Sequence, residues 1–145
     1  YPVIYAIGNK LFKKENVSPA ILLREFSSNL LNITTSYTSS LVAFEEYVGH
    51  LWVIDLSTGL IKEIGLGNAP SISPNGDFIL FMMLEDDGYE LTKGDIYYWN
   101  SKTDLITQLS FTDDRIEMNP SISADGKFIS ATTYPDGQLL IGTIR

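Results

Sequence analysis

The sequence contains no cysteine, which excludes a disulfide framework and a thiolate metal site. It contains one histidine, His50, whereas a histidine metal site needs several ligands. Basic residues are outnumbered, with 10 Lys and Arg against 18 Asp and Glu, so the net charge is −8. Because nucleic-acid binding calls for a basic surface, we expect no nucleic-acid partner. The ordinary role of such an acidic surface is solubility.

Long apolar runs and catalytic motifs are also missing. No run approaches the roughly 18 apolar residues of a membrane span, so we predict no membrane span. Tyr1–Tyr5 is followed by neither a basic region nor a cleavage site, and so does not read as a signal peptide. The chain has no Gly-x-Ser-x-Gly elbow and no phosphate-binding loop. We therefore predict no enzymatic activity, no metal and no cofactor. Either a processed mature protein or a piece of a longer one fits this start.

What the chain does contain is a repeat. Residues Pro70–Leu80 recur fifty residues later as Pro120–Ser130, and seven of their first ten positions are identical. Spacings of this size are typical of repeat architectures. With 145 residues, 44% of them hydrophobic, the chain is long enough and apolar enough for one folded domain.

The repeated motif predicts a tight turn between two strands. Ser73, Pro74, Asn75 and Gly76 have the residue order of such a turn, with Gly at the position where a positive φ is wanted. The second copy keeps a turn at Asp125 and Gly126. The following run, Phe78–Leu84, has no polar alternation, which indicates a strand buried on both faces.

Aromatic strands with returning strands form the other half of each unit. The sequence predicts two such pairs, 45 residues apart: Leu51–Leu56 with Leu60–Ile64, and Ile96–Asn100 with Leu105–Leu109. Each unit then has four strands: a small-residue strand, an apolar strand, an aromatic strand and a returning strand. Four-stranded sheets at intervals of roughly 40–50 residues are the blades of a β-propeller.

We predict an all-β fold of four-stranded antiparallel blades, amounting to about three blade equivalents in a single partial domain over residues 1–145. The predicted units are 1–31 (degenerate and partial), 32–65, 68–110 and 118–145 (partial). Because propellers have roughly four to eight blades, the chain is expected to be part of a larger propeller or of one completed by association of copies. A small ring closed by the two end strands is the remaining alternative.

Two motifs resemble the TolB-type (WD-repeat-like) β-propeller repeat, best over Val48–Arg145. Leu51–Gly59 is similar to its aromatic strand and Thr-Gly turn, and Pro70–Gly76 to its Pro-Ser-Trp-Ser-Pro-Asp-Gly segment, with Ile72 in place of Trp. The resemblance implies a propeller and a periplasmic or extracellular location. It leaves function open, because the repeat occurs in TolB proteins, in secreted surface proteins and in propellers of prolyl-oligopeptidase-like peptidases.

Two loops are the candidate partner-binding sites, since loops on rigid scaffolds often carry binding. The first is an acidic insertion between the apolar and aromatic strands of the third unit, and the second lies between its returning strand and Pro120. The candidate residues are Glu85, Asp86, Asp87, Tyr89, Glu90, Asp113 and Asp114. Grouped carboxylates can bind Ca²⁺, but this spacing fails the calcium-loop pattern, so a solvated hairpin is the simpler interpretation.

The functional prediction is a non-catalytic propeller module for protein–protein interaction or extracytoplasmic assembly, with protein partners or self-association. The alternative is the gating propeller of a prolyl-oligopeptidase-like serine peptidase whose catalytic domain lies outside this chain. A weaker alternative is carbohydrate binding on Trp52, Tyr97, Tyr98 and Trp99, although in propeller strands such residues usually pack between blades.

Overall fold

The computed structural model describes residues 2–144. Within this range the chain forms fourteen β-strands and no helix. The strands are β1 (Val3–Ile7), β2 (Lys10–Lys14), β3 (Ile21–Glu25), β4 (Leu30–Thr35), β5 (Leu41–Glu46), β6 (His50–Asp55), β7 (Leu60–Leu66), β8 (Asn68–Ile72), β9 (Phe78–Asp86), β10 (Leu91–Asn100), β11 (Ile106–Gln108), β12 (Ile116–Ile122), β13 (Phe128–Tyr134) and β14 (Leu139–Thr143). The all-β prediction is confirmed. Since residues 2–144 contain no helix, none is present there that could cross a membrane.

The strands form four antiparallel sheets, and within each sheet the strands lie side by side in chain order. Sheet 1 contains β1–β3, sheet 2 contains β4–β7, sheet 3 contains β8–β11 and sheet 4 contains β12–β14. Sheets 2 and 3 are complete four-stranded meanders, whereas sheets 1 and 4 have three strands each among the described residues. This is the blade organisation that the repeat predicts.

The sheets pack face to face in chain order, with an apolar core between each successive pair. Leu11, Phe26 and Phe44 belong to the core between sheets 1 and 2. Between sheets 2 and 3 the core includes Leu51, Phe81 and Trp99. Leu80, Met82, Ile96 and Ala131 form the core between sheets 3 and 4. The apolar face of each sheet is thus buried against the next sheet.

Strand β9 explains why the run Phe78–Leu84 has no polar alternation. Ile79 and Phe81 pack toward sheet 2, while Leu80 and Met82 pack toward sheet 4. All four side chains are at most 7% exposed. A strand between two neighbouring sheets needs apolar residues on both of its faces.

The first strands of sheets 2, 3 and 4, which we call the inner strands, carry the same irregularity. Strands β4, β8 and β12 each have a register shift, and in each the shift contains a non-glycine residue with positive φ: Asn32 (50°), Ala69 (49°) and Asn119 (54°). Left-handed backbone at an extra residue is typical of a β-bulge. Residues of all three bulges line one cleft, so the inner strands face a common axis.

The connection between β4 and β5 is a turn that contains no glycine. Residues 37–39 lie in this connection. There the Ser36 hydroxyl donates to the Leu41 carbonyl at 3.1 Å, which closes the connection without a glycine.

Candidate functional site

The connections of each sheet lie alternately at its two ends, because every sheet is an antiparallel meander. The loop between β9 and β10 (87–90) therefore lies at the same end as the connection between β11 and β12 (109–115). We call this end, which also includes the β5–β6 loop (47–49), the acidic end. Both predicted partner-binding loops belong to it, although they are separated by about twenty residues of chain.

The predicted turn residues lie at the opposite end. Between β8 and β9, the Gly76 amide donates to the Ser73 carbonyl at 2.9 Å, and Gly76 has a φ of +75°. Ser73 and Asn75 add a side-chain hydrogen bond of 3.0 Å, and Pro74 provides the carbonyl that accepts from the Thr38 amide at 2.8 Å. Through that last contact the turn joins sheet 3 to sheet 2.

The second copy of the turn has the same geometry. The Gly126 amide donates to the Ser123 carbonyl at 2.9 Å, with a φ of +72° at Gly126. The Asp125 carboxylate accepts hydrogen bonds from the Ser123 hydroxyl at 2.6 Å and from the Lys127 amide at 3.1 Å. These bonds, the one from Ser123 first, lower the pKa of Asp125.

The acidic hairpin at the β9–β10 connection is exposed from Glu85 through Glu90. Asp87 stabilises its turn, since one carboxylate oxygen accepts the Tyr89 and Glu90 amides, each at 2.9 Å. These bonds, the one from Glu90 first, lower the pKa of Asp87. Asp86 similarly accepts from the Gly88 amide at 2.9 Å. The turn presents Tyr89, which is 95% exposed, at its tip.

Most of the predicted insertion between the apolar and aromatic strands is β-strand. Strand β9 continues to Asp86 and β10 begins at Leu91, with Lys93 opposite Glu85 in the register. Four residues form the connection itself. The extra length therefore extends a paired two-stranded ribbon beyond the body of sheet 3, which gives the tip a defined position.

Asp113 and Asp114, in the second loop, line a cleft of about 470 Å³ between sheets 3 and 4. The other lining residues are Thr92, Lys93, Thr112, Arg115, Ile116, Tyr134 and Pro135. The base of the acidic hairpin thus forms one wall of the cleft, and the loop with Asp113 and Asp114 forms another. The predicted residues Asp113 and Asp114 thus face the base of the hairpin, whereas the predicted residues of the hairpin itself do not line the cleft: Glu85, Asp86, Asp87, Tyr89 and Glu90.

Asp95, a buried carboxylate that sequence reasoning missed, joins these two walls. Its side chain is 2% exposed. It accepts a hydrogen bond from Gln108 Nε2 at 3.1 Å and a long one from the Thr112 amide at 3.5 Å. Lys93 Nζ lies 3.4 Å from Asp95 Oδ2, and this contact raises the pKa of Lys93. Asp95 therefore connects the hairpin base to the start of the second loop.

Exposed aromatic side chains are concentrated at the acidic end. Besides Tyr89, these are Tyr47 (63% exposed), Phe111 (76%) and Tyr134 (48%). The aromatic residues of the strands have another role: Trp99 is 5% exposed within the core between sheets 2 and 3. Protein interfaces are enriched in aromatic residues. The acidic end therefore combines charged loops with exposed aromatic side chains, and both are features of protein-binding surfaces.

Two further buried carboxylates, Glu45 and Glu46, connect sheets. Glu46 Oε1 accepts the amides of Ser27 and Ser28 at 2.8 and 2.9 Å, and its Oε2 accepts Trp52 Nε1 at 3.0 Å. It thereby fixes the connection from sheet 1 to sheet 2. A signal for these two residues exists in the sequence, because they are adjacent acidic residues at the end of an apolar strand. A carboxylate that is buried at such a place needs hydrogen-bonding partners.

The single histidine is paired with a carboxylate. His50 Nδ1 lies 2.7 Å from Glu63 Oε1 on the neighbouring strand, and both side chains are nearly half exposed. Over residues 2–144 no group of three or more His, Cys, Asp or Glu side chains is arranged to hold a metal ion. In the acidic hairpin the carboxylates of Asp86 and Asp87 instead accept hydrogen bonds from the backbone of the turn.

No protein-family model matches this sequence, and no curated protein sequence matches it either. Solved structures do match the fold. The chain is similar to part of the tricorn protease, with 17% identity and a TM-score of 0.72 over 92% of this chain and 14% of that one. It is also similar to a protein assigned to TolB in Agrobacterium tumefaciens, with 15% identity and a TM-score of 0.70 over 99% of this chain and 54% of that one.

A third similar structure is the β-propeller domain of the Trilobed protease from Pyrococcus furiosus. It has 17% identity and a TM-score of 0.61, over 79% of this chain and 38% of that one. The chain thus spans between 14% and 54% of the length of these three proteins. At such identities the likeness shows the fold alone, and that fold is a β-propeller, present here in part.

Proposed function

We propose that the chain is a non-catalytic, TolB-like β-propeller module that acts outside the cytoplasm and binds a protein partner through its acidic end. One observation carries the proposal: the loop with Asp113 and Asp114 shares a cleft with the base of the extended acidic hairpin, and that hairpin carries the exposed Tyr89 at its tip. Acidic groups around exposed aromatic residues favour a partner with a basic surface.

The likeness to protease propellers does not favour the gating alternative over this one, since proteins with unrelated functions share the propeller fold. The location outside the cytoplasm is proposed from the resemblance to TolB-type repeats and from the likeness to the Agrobacterium protein.

The test places a photo-reactive phenylalanine at Tyr89 and, as a matched control, at Tyr37 of the opposite end, which is 88% exposed. Both variants are cross-linked in the native host, and the protein captured from position 89 is purified. Its affinity is then measured by calorimetry for the wild type, Tyr89→Ala and Tyr37→Ala. We expect Tyr89→Ala to weaken binding about tenfold or more, as for an interface anchor, and Tyr37→Ala to leave it unchanged.

Charge is tested with the same partner. Combined Glu85→Gln, Glu90→Gln, Asp113→Asn and Asp114→Asn substitutions spare the two carboxylates that stabilise the hairpin turn. The affinity for the partner should fall and should lose most of its salt dependence, because dissolved salt screens the attraction between exposed charges. Capture of the same protein from both positions, or an affinity that is indifferent to Tyr89, contradicts the proposal.

A further inference from the structure

The acidic hairpin extends beyond the inner strand of its own sheet. Strand β9 pairs with β10 as far as Asp86. On its other side β9 pairs with the inner strand β8, and there the pairing ends at Met82, opposite Asn68. Among the described residues, the stretch 83–86 of β9 has no partner strand on that side. We call this unpaired side of the hairpin its inner edge.

The inner edge is open because of the way the chain enters β8, and the residues before and after this point are all described. Strand β8 begins at Asn68, directly after β7 of sheet 2. The Gly67 amide donates to the Gly49 carbonyl at 2.8 Å, and this bond holds the chain at sheet 2 until it crosses to sheet 3. Strand β8 therefore starts too late to pair with the end of β9.

The hydrogen bonds of β9 identify the backbone groups that point to the inner edge. At the start of the strand the Ser73 amide donates to the Phe78 carbonyl at 2.9 Å, on the side of β8. In an antiparallel ladder the direction of these groups alternates from residue to residue, and β9 itself contains no extra residue. The N–H and C=O groups of Leu84 and Asp86 therefore point to the inner edge. Within residues 2–144 neither residue makes a backbone hydrogen bond on that side.

The side chains along the inner edge determine which sequence fits beside it. Leu84 packs toward sheet 4, whereas Glu85 is exposed and lies on the opposite face, because successive residues of a strand alternate. In an antiparallel pair, residues directly opposite each other share a face, and opposite charges there are stabilising. A segment with a basic residue opposite Glu85 and apolar residues on either side of it therefore fits this edge.

A second copy of this chain is a poor occupant of the inner edge. Two acidic hairpins placed edge to edge would bring like charges opposite each other, which is destabilising, and charged edges are a common protection against such self-pairing. The strand richest in lysine, β2, is paired on both sides within sheet 1. The charge of the hairpin instead favours a positively charged segment of a different protein.

Exposed apolar side chains lie next to the start of β8. The β5–β6 loop carries Tyr47 and Val48, which are 63% and 76% exposed. The next residue, Gly49, accepts the hydrogen bond from the Gly67 amide, so this loop adjoins the point where the inner edge begins. A strand added in line with β8 can pack against these side chains, and the apolar area that it buries adds to the backbone ladder.

We propose that the inner edge of the acidic hairpin binds an extended segment of the protein partner, with alternating apolar and basic residues, by β-augmentation. This inference rests on the function proposed for the acidic end, since it names the element of the partner that binds there. Backbone hydrogen bonds to Leu84 and Asp86 provide affinity, and the basic residue opposite Glu85 provides specificity. The same hairpin then contributes both a strand edge and the exposed Tyr89 to the interface.

The probe is the synthetic peptide Val-Lys-Val-Lys-Val, blocked at both ends. Its binding to the whole chain is followed by NMR titration and by amide hydrogen exchange. Binding should slow exchange at Leu84 and Asp86, whose amides become hydrogen-bonded, and leave the amides of the outer strand β7 unchanged. The peptide Val-Glu-Val-Glu-Val should not bind.

Two methylated forms of the peptide separate the backbone ladder from the attraction of charge. Methyl groups on the valine nitrogens remove the donors that face the inner edge and should weaken binding about tenfold or more. Methyl groups on the lysine nitrogens of the backbone, which face away from the hairpin, should leave binding close to that of the unmodified peptide. Both forms carry the same charge.

Asp86→Pro and Asp86→Asn provide the matched pair in the protein. Both substitutions remove the negative charge, but only proline removes the N–H that faces the inner edge, where proline is compatible with a strand. Asp86→Pro should therefore bind the peptide about tenfold more weakly than Asp86→Asn. Thermal unfolding of both variants checks that the fold is kept, and the methylated peptides decide the question with the wild type if Asp86→Pro is unstable.

Absence of peptide binding overturns the proposal. So does equal binding of the two methylated peptides, or protection that appears on β7 rather than at Leu84 and Asp86. The outcome is separate from the test of the proposed function, because the peptide assay needs no captured partner and the affinity test at Tyr89 needs no strand pairing. Failure of one therefore leaves the result of the other standing.

Discussion

Glu45 Oε2 accepts a hydrogen bond from the Ala69 amide at 3.0 Å, and this contact joins sheet 2 to the bulge of the inner strand of sheet 3. The same carboxylate accepts Asn68 Nδ2 at 2.8 Å and Asn32 Nδ2 at 2.9 Å. One buried side chain, 6% exposed, thus satisfies three donors from two sheets. A left-handed residue at the bulge is stabilised by this acceptor.

The equivalent contact in the next interface has a different acceptor. Met82 Sδ lies 3.2 Å from the Asn119 amide, in the position that Glu45 has relative to Ala69. We expect Glu45→Ala to destabilise the protein by about 1–3 kcal/mol, because three donors, two of them on half-buried residues, lose a buried acceptor. Glu45→Met should cost less than Glu45→Ala, since methionine supplies a sulfur acceptor and a similar side-chain volume, as Met82 does in sheet 3. Urea unfolding of both variants measures the difference, and equal losses would contradict this role of the acceptor.

The sequence predicts the sheets because their signals are local. The period and apolar character of Phe78–Leu84 and the repeated turns at Gly76 and Gly126 depend on neighbouring residues. The contact between Glu45 and Ala69 depends on how one sheet packs against the next. The pattern of residues along the chain carries no information about distances between sheets. The bulges were missed for a related reason: Ala69 has little preference for positive φ, and the surrounding hydrogen bonds impose it.

The candidate site was predicted in part for the same reasons. Residues such as Asp87 and Asp113 were identifiable as exposed acidic loops from composition alone. That the second loop shares a cleft with the base of the hairpin follows from the alternation of connections in a meander, together with the packing of sheet 3 on sheet 4. In the sequence Asp95 lies between the predicted apolar and aromatic strands and has no signal of burial of its own, because its burial follows from the pairing of the extended β10 strand.

Substitution at Gly76 tests the turn that joins sheets 2 and 3. Gly76 and Gly59 have nearly the same φ, +75° and +76°, but a Cβ at Gly76 would meet Ser39 Oγ and, at 3.1 Å, Leu41 Cδ1, whereas one at Gly59 would meet nothing within 4 Å. Gly59→Ala should cost about 1–2 kcal/mol for the left-handed backbone alone. Gly76→Ala should cost more, since a steric clash is added. Thermal unfolding of the two variants measures the comparison, and an equal loss would mean that the turn relaxes away from Ser39.

Asp55 should make stability depend on acid pH. The Ser40 hydroxyl, followed by that of Ser57, donates to this carboxylate and lowers the pKa of Asp55 from 3.8 to about 2. A lowered folded-state pKa stabilises the protein above the unfolded value of 3.8, and the contribution is lost as the pH falls through about 2. Wild type should therefore exceed Ser40→Ala in stability at neutral pH, and the difference should shrink as the pH falls from 4 to 2.

The control for this pH dependence is Ser36→Ala. The Ser36 hydroxyl bonds the Ser39 and Leu41 carbonyls and no ionisable group, so its loss should be the same at each pH. Urea unfolding at a series of pH values measures both variants, and an NMR titration of the Asp55 carboxyl gives its pKa directly. A constant difference for Ser40→Ala would show that its hydroxyl does not stabilise the ionised carboxylate.

Asp95 should be essential for the position of the second acidic loop, and Lys93 should not. Asp95 is buried and accepts hydrogen bonds from Gln108 and, at 3.5 Å, from the Thr112 amide. Asp95→Ala removes the acceptor of these half-buried donors and should cost about 1–2 kcal/mol. The Lys93 side chain is 43% exposed and only Asp95 of the pair is buried, so water screens the lysine and its loss should cost about 1 kcal/mol. Lys93→Met should therefore change stability little. Hydrogen exchange at the Thr112 amide separates the two effects: it should accelerate in Asp95→Ala and stay slow in Lys93→Met. Acceleration in both variants would mean that the loop is held by the ion pair, and the cleft would then depend on a contact that salt can weaken.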